Sequence, residues 1–318
     1  MFKTAVGYFF LQLSIFGLVI NFGALFPLRK IMRKGDPHCV YLIAVVTILN
    51  DMINLMVNCC YFAPTIIASN YILADAPDAF GPLLMASIAH FSWNNGIFLM
   101  LLMVFNRFMC LVFEKKEVFT KQRIIGFCAF SAILSGAKIL LDIFVLPCCV
   151  VLMDFEKFGF SIPNPNNQTD WSDWIDSPIE ISVFMVTLIC YIIVFIKCRI
   201  TVIHVEETLD SKHQKKVKAR ERSIAMQFLT ISIFSMLSSA SLKLTPIIFG
   251  RDHVESNIIS PIVYATGCCA NASVFLFMNE EVNEDIMKRI FKNNTVHSGE
   301  GEGEGNQNVV TFEQPELM

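Results

Sequence analysis

Val104-Phe105-Asn106-Arg107-Phe108 closes the apolar run from Leu83 to Phe105, and that junction decides how the whole chain is read. A run of this length crosses the hydrocarbon core of a bilayer as a helix, since about 20 residues at 1.5 Å rise suffice. Arg107 then marks the point where the helix leaves the lipid. Working outward, further runs of the same kind extend from Ala5 to Leu28, Val40 to Ile66, Ile124 to Val151, Pro178 to Ile196, Ser223 to Phe249 and Ile258 to Met278. Backbone groups in lipid must be bonded within their own segment or within a closed barrel, and these runs are too long and too evenly apolar for barrel strands. The sequence therefore predicts an all-α membrane protein, a bundle of seven transmembrane helices. Composition agrees: 54% of residues are hydrophobic and only 17% charged, against about 25% charged in soluble domains.

The net charge of −3 conceals two different surfaces. Arg29, Lys30, Arg33 and Lys34 follow the first run, Lys115, Lys116, Lys121 and Arg123 the third, and a cluster from Arg199 to Arg222 the fifth. The opposite loops hold only Lys3, Lys157 and Arg251. By the positive-inside rule the amino terminus is outside and the carboxyl terminus inside. The first run is longer than the apolar core of a signal peptide and is read as retained. Segregated charge of this kind suggests a membrane and no nucleic-acid partner.

The longest loop on the predicted outer face runs from Asp154 to Ser177 and carries the sequon Asn167-Gln168-Thr169, so Asn167 is a candidate glycosylation site. Past the seventh run, Val282, Ile286, Ile290 and Phe291 share one flank of Glu281 to Lys292, with Lys288, Arg289 and Lys292 on the other. This predicts a short amphipathic helix on the inner membrane surface. The acidic Gly-Glu repeat beyond it cannot bury a core and is expected to be disordered. Residues 1–292 thus form the expected transmembrane domain and 293–318 a disordered acidic cytoplasmic tail.

Polar residues inside the membrane runs point to the interior of the bundle. Thr47, Asp51, Asn54 and Asn58 recur at four, three and four residues, which places them on one helical face. A carboxylate near the bilayer centre is costly, so this face should line either a hydrated core, with a sodium ion at Asp51, or a hydrogen-bonded packing interface. Asn21 and Asn271 are the polar residues that join it from the first and seventh runs. Ser131, Ser135, Lys138 and Asp142 repeat the spacing in the fourth run. Lys138 and Asp142 read first as a self-contained ion pair and second as a ligand contact. Lys243 either snorkels to the interface or binds an acidic ligand.

Counting 100° per residue back from Arg107 places Gly96, Trp93, Ala89, Ala86 and Met85 in its direction. Met85, Ala89, Trp93 and Lys243 are the candidate ligand-pocket residues, the alternative for the first three being plain packing. The six histidines show no metal-ligand spacing, no enzyme constellation is present and no cofactor is implied. Cys59-Cys60, Cys148-Cys149 and Cys268-Cys269 are adjacent pairs in apolar sequence, read as small hydrophobes, with a disulfide open to those near the outer ends.

Gly17-Leu18-Val19-Ile20-Asn21, Asp51 and Asn106-Arg107-Phe108, in this order and topology, resemble the rhodopsin-like seven-transmembrane G-protein-coupled receptors. More narrowly, Asn106-Arg107-Phe108-Met109-Cys110, Pro147-Cys148, Arg220-Glu221-Arg222 with Gln227, and Phe277-Met278-Asn279-Glu280-Glu281 resemble the nematode serpentine chemoreceptors of class X, over roughly residues 12 to 290. The resemblance implies a chemosensory receptor in the plasma membrane, with a sensory cilium as its place. It would transduce an external small-molecule signal to a heterotrimeric G protein, with membrane lipid around it. It implies a coupling switch of Asn106, Arg107, Tyr191 and Glu221, in which Glu221 accepts from Arg107 at rest because Asn106 lacks the negative charge common at its position. The chain departs from the rhodopsin pattern in having no cysteine between Cys60 and Cys110, no Cys-Trp-x-Pro in the sixth run, and Asn271-Ala272-Ser273-Val274-Phe275 in place of Asn-Pro-x-x-Tyr. A membrane transporter or channel with a hydrated polar core is the alternative, and the absence of an internal repeat counts against it.

The orientation carries a direct test. Made in a eukaryotic secretory system, the chain is expected to carry glycan on Asn167, so glycosidase treatment raises its gel mobility. No shift, together with an epitope in that loop exposed to the cytoplasm, would overturn the orientation.

Overall fold

The computed structural model describes residues 2–33, 40–74, 76, 79–146, 152–161, 171–208, 226, 229–234, 236–238, 240–241, 244–245, 248–249 and 257–278. Six helices among them are long and apolar enough to cross a bilayer. They are α1 (Phe2–Arg33), α2 (Val40–Ala68), α3 (Phe80–Leu111), α4 (Lys121–Phe144), α5 (Trp171–Thr208) and α7 (Ile259–Met278). The sixth predicted run is represented by α6 (Leu229–Ser238), a shorter apolar helix. The expected inner-surface helix at Glu281 to Lys292, the acidic tail, Asn167, Glu221 and Lys243 lie outside the described residues.

Two departures from the expected helices have local causes. Within α2, Asn58–Phe62 form a π turn in which the Ala63 N–H donates to the Asn58 carbonyl, five residues back. Pro64 explains it: proline has no N–H to offer the Cys60 carbonyl, and its ring would press on that group in a regular helix. The wider turn relieves the contact. The fourth helix was expected to reach Val151 and instead ends at Phe144, where the Val145 N–H bonds back to the Leu141 carbonyl. Pro147 pushes Leu146 out of the helical region, which is why the apolar run outlasts the helix. At its other end α4 is capped by Thr120, whose side chain accepts from the Arg123 N–H at 3.4 Å.

The chain then turns into a small antiparallel hairpin, β1 (Leu152–Asp154) and β2 (Gly159–Ser161), with Leu152 opposite Ser161. Asp154 Oδ1 accepts from the N–H groups of Glu156 at 2.8 Å and Lys157 at 3.4 Å, closing the turn. Leu152, Met153, Phe155 and Phe158 are buried against Phe10, Tyr61, Ala86 and Ala89, so the hairpin caps the outer end of α1, α2 and α3. Tyr71 meets Phe155 edge to face at 5.0 Å. Burial first, then the charges of Asp154 and Glu156, push its hydroxyl above the ordinary tyrosine range.

Burial sorts the helices by role. α2 is the most enclosed and packs on α1, α3 and α7, while α1, α4 and α5 present broad apolar faces outward. Phe16, Val19, Phe22 and Phe26 of α1 and Ile181, Met185 and Ile189 of α5 are among these exposed residues. Large apolar surface of this extent is tolerable only against lipid. The inner core gathers Leu28, Tyr41, Ile48, Met103, Val104, Tyr191 and Phe275.

Close approach of α1 to α2 and α7 depends on Gly17, where an added Cβ would lie 2.6 Å from Cys269 Sγ and 2.9 Å from Leu55 Cδ1. Gly23, two turns on, has nothing within 4 Å. Gly17→Val is therefore expected to lower stability by about 1–3 kcal/mol, the usual cost of overpacking. Gly23→Val should not, and thermal unfolding in detergent compares the two.

Candidate functional site

The polar residues of α2 face inward, and one that the spacing did not single out does most to tie the helices together. Asn50 Nδ2 donates to the Ser92 carbonyl at 2.8 Å, and Ser92 Oγ donates back to the Asn50 carbonyl at 2.9 Å. Asn95 Nδ2 donates to Asn50 Oδ1 at 2.9 Å, and Ser131 Oγ donates to Asn95 Oδ1 at 2.7 Å. The result is a buried chain of side-chain bonds across α2, α3 and α4. Asp51, 6% exposed, points instead toward α7, where its Oδ2 accepts from Asn271 Nδ2 at 2.7 Å. Asn21 Nδ2 donates to the carbonyls of Gly17 at 2.8 Å and Cys268 at 3.1 Å, adding α1. Asn54 is turned away from this contact and accepts from Asn58 Nδ2 at 3.1 Å.

Between these groups and the outer half lies a cavity with about 50 Å³ of room for the centres of water-sized molecules. At roughly 10–15 Å³ for one water, it has room for several. Trp93, Phe184 and Tyr264 are its aromatic walls, Asp51 and Asn271 line it further in, and Thr47, Met103 and Ile231 are at its inner end. Asn271 Oδ1 is buried with no hydrogen-bond partner among the described residues.

Of the four candidate pocket residues, the three described ones fall in two places. Trp93 lines the cavity and meets Tyr264 edge to face at 4.7 Å. Ala89 is buried and Met85 partly buried in the layer beneath the hairpin, where the small side chain of Ala89 admits its apolar residues. Lys243 lies outside the described residues.

Lys138 and Asp142 meet at 2.6 Å, but the expected self-contained pair is a larger cluster. Lys138 Nζ also donates to Asp176 Oδ2 of α5 at 2.7 Å and lies 3.2 Å from His90 Nε2 of α3. His90 Nε2 is 3.7 Å from Asp176 and its Nδ1 3.9 Å from Asp142. One turn along α5, Glu180 Oε1 accepts from Trp93 Nε1 at 2.9 Å. Sequence spacing finds pairs within a helix, and it missed His90, Asp176 and Glu180 because their partners are on other helices.

At the inner end Asn106 and Arg107 are 3% and 7% exposed, so the bundle is closed around the arginine. Tyr191 of α5 is packed in the same inner core, within electrostatic reach of Arg107. Its hydroxyl accepts from Ser232 Oγ of α6 at 2.9 Å. Cys59, Cys60, Cys268 and Cys269 are free thiols, whereas Cys148 and Cys149 lie outside the described residues.

The model of the Serpentine type 7TM GPCR chemoreceptor Srx family matches residues 11–279. The chain belongs to this family. Its fold is similar to the crystal structure of squid rhodopsin, with a TM-score of 0.74 over 92% of this chain and 87% of that one, at 13% identity. No curated protein matches the sequence. The fold is thus the seven-helix bundle of the rhodopsin-like receptors, and this Srx chain is a multi-pass G-protein-coupled chemoreceptor.

In this Srx receptor the Lys138 cluster is the main polar bond between α4 and the outer end of α5 among the described residues. Lys138→Met keeps the length of the side chain and removes the cation the two carboxylates share. Breaking a buried pair by deleting one partner costs about 3–5 kcal/mol. A large fall in detergent melting temperature is therefore expected, with part recovered when Asp142→Asn is added. Equal stability of Lys138→Met and the parent would show that the cluster holds nothing.

Proposed function

We propose that this chemoreceptor works in the plasma membrane, at a sensory cilium, where an external small molecule enters the outer half of the bundle and occupies the cavity against Trp93 and Tyr264. The observation that carries this reading is the cavity itself: its aromatic walls at Trp93 and Tyr264 lie outward, Asp51 and Asn271 line it further in, and its inner end at Thr47, Met103 and Ile231 approaches the level at which Arg107 is held in a closed bundle. A ligand shifts such a bundle only by binding one arrangement better than the other. The arrangement it favours separates the inner ends of α5 and α6, breaks the Tyr191–Ser232 contact, and opens Arg107 and the basic loop after α5 to a heterotrimeric G protein. A sodium ion at the Asp51 carboxylate, beside the cavity, would favour the closed state. Glu221 is the carboxylate that holds Arg107 at rest.

Nucleotide exchange on a purified G protein tests the switch. Arg107→Ala should abolish exchange at equal surface expression, whereas Glu221→Ala should raise ligand-independent exchange a few-fold or more, since taking the partner from a buried arginine costs more than the ~1 kcal/mol of an exposed pair. Unchanged basal exchange in Glu221→Ala would remove the lock, and normal signalling by Arg107→Ala would remove the coupling role of the arginine.

A further inference from the structure

Trp93 stands in the cavity wall, and Glu180 stands behind it. An indole N–H can only donate, so the carboxylate that accepts from it at 2.9 Å selects one orientation of the ring. That orientation sets the ring at 65° to Tyr264 and so shapes the aromatic part of the cavity. Glu180 is carried by α5, where Val183, Thr187 and Tyr191 continue along the same buried stripe. Most of the remaining surface of α5 faces lipid. In its outer half α5 is tied to its neighbours by polar contacts that include Trp93 to Glu180, and Lys138 and His90 to Asp176. Eleven residues beyond Glu180, about 16 Å along a helix, Tyr191 makes its contact with Ser232 of α6.

We propose that Glu180 is a positioning residue of the receptor: it fixes the Trp93 wall and makes the orientation of that wall a condition on where α5 sits. A molecule that repacks Trp93 must then either stretch the bond to Glu180 or carry α5 with it, and movement of α5 reaches the Tyr191–Ser232 contact. This rests on the cavity being the ligand site. The tether belongs to the closed bundle, because Arg107 is buried while it is made. Its loss therefore favours opening.

The test uses the full chain in lipid nanodiscs, as Glu180→Ala, Glu180→Gln, Trp93→Phe and the Glu180→Ala/Trp93→Phe double variant. Two readouts are taken: basal nucleotide exchange on a purified heterotrimeric G protein, and hydrogen–deuterium exchange over residues 175–190. Glu180→Ala is expected to raise basal exchange on the order of fivefold, as loss of a charge-assisted hydrogen bond allows, and to deprotect outer α5. Glu180→Gln keeps an acceptor and should behave as the parent. With Trp93→Phe already in place, Glu180→Ala should add markedly less than it does alone. If Glu180→Gln matches Glu180→Ala, or if the two single effects add, the tether to Trp93 is not how Glu180 acts and the proposal is overturned. A parent that exchanges no nucleotide would sink the coupling reading instead, and the hydrogen-exchange cycle would still decide Glu180: non-additive protection supports the tether and additive protection overturns it.

Discussion

The bundle depends on the hydrogen-bonded chain from Ser92 through Asn50 and Asn95 to Ser131. Helices in lipid gain nothing from hydrophobic burial against one another, because acyl chains are as apolar as leucine. Rotation and depth must then be chosen by packing and by polar groups that have no other partner. Each such bond is worth only about 0.6–2 kcal/mol. These bonds share Asn50 and Asn95, however, so rotating α2 or α3 alone would strand several polar atoms together. Once α2 is set in this way, Asp51 is turned toward Asn271 of α7 and the position of the polar lining of the cavity follows.

Around this fixed centre the helices differ in how firmly they are held. α2 is gripped on three sides, while α5 lies between the bundle and lipid along most of its length. α5 is nonetheless bonded near its outer end by carboxylates to α3 and α4 and near its middle by a phenol to α6. An element with a narrow packed stripe and a few specific bonds is suited to moving as a rigid rod between two positions. A closely packed element such as α2 is suited to being the frame against which it moves.

Much of this was legible in the residues, and the limits have physical causes. Apolar run length identified the spanning segments because bilayer thickness imposes it, and charge segregation supplied the orientation by an equally general rule. The inward face of Thr47, Asp51, Asn54 and Asn58 followed from helical period. Asn50 escaped the same reasoning because a helix enclosed on several sides has more than one inward face, and a single periodic stripe describes only one. His90, Asp176 and Glu180 escaped because their partners lie on other helices, and nothing in the spacing of one helix says which neighbour it meets. The end of α4 was misplaced for a simpler reason: hydropathy measures what lipid tolerates, whereas Pro147 governs what the backbone can continue.

The π turn of α2 has a consequence for how such a receptor can diversify. One extra residue in a turn offsets everything beyond it by about a quarter of a revolution, so the stretch from Tyr61 to Ile66 faces its neighbours independently of the register that Asn50 and Asp51 impose below. Gain or loss of a single codon just before Pro64 would swing the upper end of the helix beneath the hairpin and leave the lower end undisturbed. A lineage could thereby remodel the outward chemistry of the mouth of the bundle without retuning the machinery that reports it.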